Sequence, residues 1–234
     1  MVFFATRGLL GPSGTNAGDI DVGTEVILNE NGQPVNYLIV NQGIPSALYD
    51  ASCEGTWLLR KDIAENRQWH SSNSNDYENS TIDNYLNTTF LNLFESNIRD
   101  AIKQVKLPYR KGAGYGKTVT SGASGLSTKI FLLSATEVGF NMSYMPTNEG
   151  VELAYFSGCA DDGADNKRIA YLNSSAAFWW LRSPYCDSSL GSSYALLVLD
   201  DGNWSNNFCS NSSGIRPALI LPYDFKFTSD QIAA

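Results

Sequence analysis

The chain is short of several things that common functions need. It has one histidine, His70, in 234 residues. That excludes a histidine-rich transition-metal centre, and any Ser–His–Asp or Cys–His mechanism would have to run through that one ring. His70 lies in the polar stretch HSSNSNDYENS, and no G-x-S-x-G elbow occurs to pair with it, so it reads as an exposed loop histidine. Basic residues are scarce: 16 Lys and Arg against 24 Asp and Glu, a net charge of −8. With no basic stripe to neutralise phosphates, a nucleic-acid partner is excluded. The cysteines, Cys53, Cys159, Cys186 and Cys209, form no C-x-x-C pair, which excludes a zinc ribbon or a thioredoxin-type site. Their even number permits disulfides, but a domain of this size does not need them, so free thiols are expected. No apolar run is as long as a membrane span. The opening MVFFATRGLL is broken by Arg7 and too short for a secretory signal, so no signal peptide is expected.

What is present is globular: 43% hydrophobic and 12% aromatic residues, enough for one large core. Composition shifts only at the ends. Residues 1–19 read as an arm or linker, 20–223 as one domain and 224–234 as a tail. TEVILNENGQPVNYLIVNQG alternates and breaks at Asn31-Gly32, which predicts two strands and a tight turn. Ser80 and Asp83 open a short helix carrying Ile82, Tyr85 and Leu86; a second is expected over 96–105, ended by Pro108. KIFLLSATEVGF reads as a buried strand and a capping box between Ser134 and Glu137. WWLRSP, a hairpin turning at Asp201-Gly202, and GIRPALIL as one strand complete the chain.

Several motifs invite chemistry and fall short of it. GAGYGKT is one residue short of a phosphate-binding loop and is followed by VTSGASG, which cannot be a helix. CADDGADNKR offers Asp161, Asp162 and Asp165 but no closing Glu for calcium, so it reads as a solvated acidic loop. Arg182 and Arg216 sit in apolar runs beside prolines. An unpaired buried charge is too costly, so each is expected to be buried and fork-paired to a carboxylate or to carbonyls.

The stretch 185–213 has an unusual deficit: no Lys, Glu, Gln or Met, and Trp only at Trp204. It is built mainly of Ser, Asn, Asp and Tyr, between the stiff walls WWLRSP and GIRPALIL. A turn-rich loop favours such residues in any case.

Taken in order, YLIVNQG, YDASCEGTWLL, KIFLLSATEVGF, WWLRSP and GIRPALIL resemble a domain family of gut Firmicutes and their phages. That family is similar to the C-type lectin fold shared with formylglycine-generating enzymes, and includes variable proteins of diversity-generating retroelements. The resemblance implies an α+β, C-type lectin-like fold with small antiparallel sheets, two or more packing helices and long loops. It implies a display protein, on a phage virion or bacterial cell surface, that binds a protein or glycan without chemistry, cofactor or metal, alone or as a homo-oligomer. Asn codons altered at their adenines cannot yield Lys, Glu, Gln, Met or Trp, the set missing from 185–213 apart from Trp204. On this reading the contact residues are Tyr185, Asp187, Ser188, Ser189, Leu190, Ser192, Ser193, Tyr194, Leu196, Asp200, Asp201, Ser205, Asn207, Phe208 and Ser210. Trp179, Trp180, Arg182, Trp204 and Arg216 are the fixed scaffold. The alternatives are a lectin-like phage protein that does not vary, or a formylglycine-generating-type oxidase using Cys186 and Cys209.

Overall fold

Asn31 and Gly32 both take positive φ, 50° and 72°, the geometry of a tight two-residue hairpin turn. They join β1 (Glu25–Glu30) to β2 (Gln33–Gln42), as the sequence predicts. The structure is a computed structural model and describes residues 14–233. Eight further strands build its main sheets: β3 (Thr56–Arg60), β4 (Glu65–Gln68), β5 (Ile130–Phe131), β6 (Trp179–Pro184), β7 (Tyr194–Val198), β8 (Trp204–Phe208), β9 (Ser212–Ile215) and β10 (Ala218–Leu221). The sheets run β5–β10–β3–β2–β1 and β8–β7–β6–β9–β4. Neighbouring strands are antiparallel except β6 and β9, which pair in parallel at Trp179↔Gly214. With short helices added, the fold is α+β and sheet-rich.

Strand alternation explains how two cores form. Leu58 of β3, Trp180 of β6, Leu197 of β7 and Leu219 of β10 enter one buried cluster. Their chain neighbours Trp57, Leu59, Trp179, Leu181, Leu196, Val198 and Ile220 enter the other. Both sheets are therefore apolar on both faces. The first core is closed by helical residues, Ile82, Leu86, Phe90 and Ile98 among them. The second is closed by loop residues such as Val138, Phe140, Leu153 and Phe156.

Ser80 caps α1 (Thr81–Tyr85), its hydroxyl accepting from Asp83 N at 3.1 Å. The chain then loosens into a π turn (Leu86–Phe90) and a 3-10 turn (Leu91–Leu93). α2 (Ser96–Ala101) is shorter than the sequence predicts. Lys103 N bonds Ile220 O at 2.9 Å, which pulls the chain out of the helix onto the sheet. Val105 then pairs as a strand with Thr128, so Pro108 does not end the helix.

Two expected units are corrected. GIRPALIL is two strands in two sheets, because Pro217 has no N–H for a ladder and the chain crosses there. The expected boundary at 19/20 is also not structural. Thr15–Asn16 pairs with Lys226–Phe227, Ala17 N bonds Phe225 O at 2.8 Å, and Ala17 is fully buried. Residues 1–13 of the expected arm lie outside the described residues. The segment expected as a tail covers an edge: Ile232 bridges Val26, and Ala233 N bonds Glu25 O at 2.9 Å. Among the described residues no helix is long and apolar enough to cross a membrane.

Candidate binding face

Every residue of β6 is buried, including a cation. Arg182 forks onto Glu137 at 2.5 and 2.7 Å and also donates to the carbonyls of Leu132, Pro108 and Glu149. Tyr49 O–H adds a bond to Glu137 at 2.9 Å. Glu137 is held by the expected capping box: Ser134 N donates to its Oε2 at 2.9 Å, and its own N donates to Ser134 Oγ at 3.1 Å. Burial opposes the charge on Arg182, but Glu137 outweighs it and the guanidinium pKa is raised. A second buried carboxyl, Glu149, accepts from Ser183 Oγ and from Arg110 N; burial pushes its pKa up.

Arg216 departs from expectation. Its Nε bonds one carbonyl, Arg60 O, at 2.9 Å, and its guanidinium lies 5.0 Å from the Trp179 ring centre. It has no fork partner among the described residues, and burial lowers its pKa to about 10. Arg216 serves the sheet crossing at Pro217 rather than an ion pair.

Two anchoring arginines were missed from sequence. Arg110 Nη2 donates to Asn75 O and Oδ1 at 2.7 and 2.8 Å, and Asn75 in turn holds Gly114. Arg168 donates to Val138 O, Gly163 O and Ala160 O and lies 3.7 Å from the Phe140 ring centre. Arg110 follows Pro108 and Tyr109, the same apolar, proline-flanked setting that marked Arg182. Arg168, between Lys167 and Ile169, carries no such signal.

On this rigid base stands the loop 187–193. Asp187 Oδ1 accepts from Ser189 N at 2.8 Å and shapes the turn. The loop backbone is tied down by Asn75 N on Ser192 O and Cys209 N on Ser193 O, each 2.8 Å. Its side chains are free: Ser188, Ser189, Leu190 and Ser192 are exposed. Beside it the rings of Tyr194 and Phe208 meet at 4.3 Å, with Phe208 exposed. Ser210 N is held by Asn73 Oδ1 at 3.1 Å.

The expected contact residues do not form one patch. Leu196 is fully buried in the second core and Tyr185 is only 7% exposed, its ring 5.4 Å from Tyr144; neither is a free contact. The reason is alternation on a strand with two buried faces. Asp200 and Asp201 are exposed, but at the far end of the β7–β8 hairpin, against the Asp165 loop. The register Leu197↔Ser205 and Ala195↔Asn207 puts Ser205 and Asn207 on the sheet face opposite Phe208. What converges is Asp187, Ser188, Ser189, Leu190, Ser192, Ser193, Tyr194, Phe208 and Ser210.

Two exposed aromatics beside this face, Tyr115 and Tyr144, were also missed. Their loops lie against it through Cys186 Sγ on Gly116 O at 3.4 Å and Cys186 N on Tyr144 O at 2.7 Å. Trp204, expected as scaffold, is half-buried, with its indole N–H on Asp162 at 2.5 Å and its ring 6.1 Å from Tyr144. Trp179 and Trp180 are fully buried. Asp165 caps the turn at Lys167 rather than facing a common point with Asp162. All four cysteines are free and buried, and burial pushes the thiols of Cys186 and Cys209 up to about 12.

These features define a sheet-rich α+β domain that carries a loop-built face on a fully buried central strand. Residues 54–223 match the family described as a domain of unknown function, DUF6273, and the chain belongs to that family. The matched segment takes in the second sheet, the loop 187–193 and all of the first sheet except the β1–β2 hairpin. No curated protein and no solved structure matches the chain.

Proposed function

We propose that the protein is a ligand-binding display domain of C-type lectin-like fold. Its loop 187–193 and the neighbouring Tyr194–Phe208 surface bind a protein or glycan partner, on a phage virion or bacterial cell surface, without chemistry. The observation that carries the reading is how 187–193 is held: its backbone is pinned by neighbouring loops while its side chains point free. Such a segment can change sequence at little cost to the fold. Its serines supply adaptable hydrogen bonds, and the flanking Tyr194 and Phe208 supply large contact area with few rotamers to freeze, the mixture found in antibody loops. The restricted alphabet of 185–213 supports diversification by a retroelement.

The test is the DNA beyond the gene's 3′ end. A near-copy of the 185–214 coding segment is expected beside a reverse-transcriptase gene. Its mismatches should fall where the copy has adenines, opposite the codons of Ser188, Ser189, Leu190, Ser192 and Phe208, and spare Leu196 and Leu197. A segment without such a copy, and constant among sibling genes, would overturn diversification and leave a fixed lectin-like protein.

A further inference from the structure

Away from the exposed tip of 187–193, two cavities lie on either side of one contact, Thr147 N donating to Lys117 O at 3.1 Å. The first, about 340 Å³, is bounded by Leu48, Thr118, Val119 and Ser121. The second, about 250 Å³, is bounded by Thr136, Phe140, Asn141 and Met145. Lys117, Thr147 and Asn148 line both, so they form one divided cleft. Each half sits near the lower end of the roughly 300–1,000 Å³ typical of small-molecule sites, a size suited to a single sugar ring.

The lining has a definite chemistry. In a chain with 24 acidic residues, neither cavity is lined by an Asp or Glu. Lys117 is the one charged residue lining them, and it pairs with no carboxylate among the described residues; its ammonium rests on Ser143 O. The Asp187 carboxyl is lowered mainly by Ser189 and last by Lys117. Thr136 lines the second cavity, and its Oγ1 is buried and without a hydrogen-bond partner among the described residues. A buried hydroxyl left this way is unfavourable until something bonds it. Leu48, Val119, Phe140 and Met145 give the cleft apolar walls.

The geometry points to a binding site for an acidic monosaccharide, a sugar ring carrying one carboxylate. Its carboxylate pairs with Lys117, its hydroxyls meet Thr136 and the amides of Asn141 and Asn148, and its C–H faces rest on the apolar walls. A single ammonium suits a monoanion; a phosphate dianion is better served by an arginine fork, and no arginine lines the cleft. This site is separate from the display reading and does not depend on it.

The experiment is calorimetric titration of the full chain with glucuronate and N-acetylneuraminate, against glucose and inorganic phosphate. The acidic sugars should bind. Lys117→Ala should weaken them about tenfold or more, the scale of a charge-assisted bond. Thr136→Val should weaken them several-fold with an unchanged melt, and Phe208→Ser, outside both cavities, should leave the titration as it was. Glucose binding as well as glucuronate, phosphate displacing the sugar, no heat from either acidic sugar, or binding indifferent to both cleft variants would each overturn the site. None of these outcomes bears on the codon test of the display face.

Discussion

Two adjacent stretches of this chain obey opposite rules. β6, Trp179–Pro184, is buried at every position, with its faces in two cores and a cation forked onto Glu137 in its middle. Past Tyr185 and Cys186, the loop 187–193 exposes most of its side chains and is held through its backbone. In β6 the identity of each side chain is fixed by what surrounds it on both sides. In 187–193 the neighbours bond the carbonyls of Ser192 and Ser193, which any residue would supply. Constraint therefore falls from maximal to slight within a few residues, and that gradient is what a display face requires.

The comparison is broken most directly at Arg182. Arg182→Ala leaves Glu137 buried without its cation, and losing one partner of a buried pair costs about 3–5 kcal/mol. Urea unfolding should show that loss; a midpoint equal to the parent's would mean the pair does not organise β6. Trp180→Ala comes next, at about 3–5 kcal/mol for a truncated buried aromatic, partly offset if the site collapses. It also strands Arg67 O, which accepts the indole N–H at 2.9 Å. A loss under about 1 kcal/mol would place Trp180 in a plastic region rather than a rigid one.

How far the gradient could be read from sequence depends on which residues carry it. Asn31-Gly32, the Ser134–Glu137 box and the Asp201-Gly202 turn were legible because each is a local geometry with a specific side-chain requirement. WWLRSP was legible as core because no solvated strand has that composition. The failures came from tertiary context. Leu196 looks like any loop-flanking leucine until the second sheet is known to have two buried faces. The crossing at Pro217 was missed inside GIRPALIL because Gly214–Ile215 and Ala218–Leu221 read as one buried run, and only the proline between them marks the break. The early end of α2 depends on Ile220, more than a hundred residues away. For the face itself, the exposed loop was legible from composition, whereas Tyr144 and Tyr115 reach it from loops distant in sequence.

Titration sharpens the contrast with a smaller effect. On the scaffold, burial first and then Glu78 push the Asp83 carboxyl up to about 7. On the display loop, the Ser189 bonds hold Asp187 below its usual range. An acid whose folded pKa is raised binds its proton more tightly when folded, so Asp83 costs stability as pH rises from about 4 to about 7. Glu149 acts in the same direction. Asp187, lowered, has the opposite sign: its contribution is present at neutral pH and lost as pH falls through its folded value. Denaturation midpoints measured across pH 4–8 should fall toward neutrality in the parent and fall less steeply in Asp83→Asn. A steeper fall in that variant would mean the proton is not held where the burial of Asp83 places it.

The smallest effect decides whether the face is separable from the fold. Phe208→Ser removes an exposed ring that touches Tyr194 at 4.3 Å. An exposed substitution on its own costs within about 0.5 kcal/mol, and an aromatic pair adds about 0.5–1.5 kcal/mol at most. A cycle of Tyr194→Ser, Phe208→Ser and the double variant isolates the pair term. Coupling under about 1 kcal/mol, with melts near the parent's, means these positions can be exchanged freely while β6 and β7 stay in place. Coupling well above the aromatic range would mean that the hairpin end is part of the core, and that variation must stop at 187–193. The register favours the first outcome, because Tyr194↔Phe208 is the last pair of the ladder and only main-chain bonds continue beyond it, at Cys209 on Ser193.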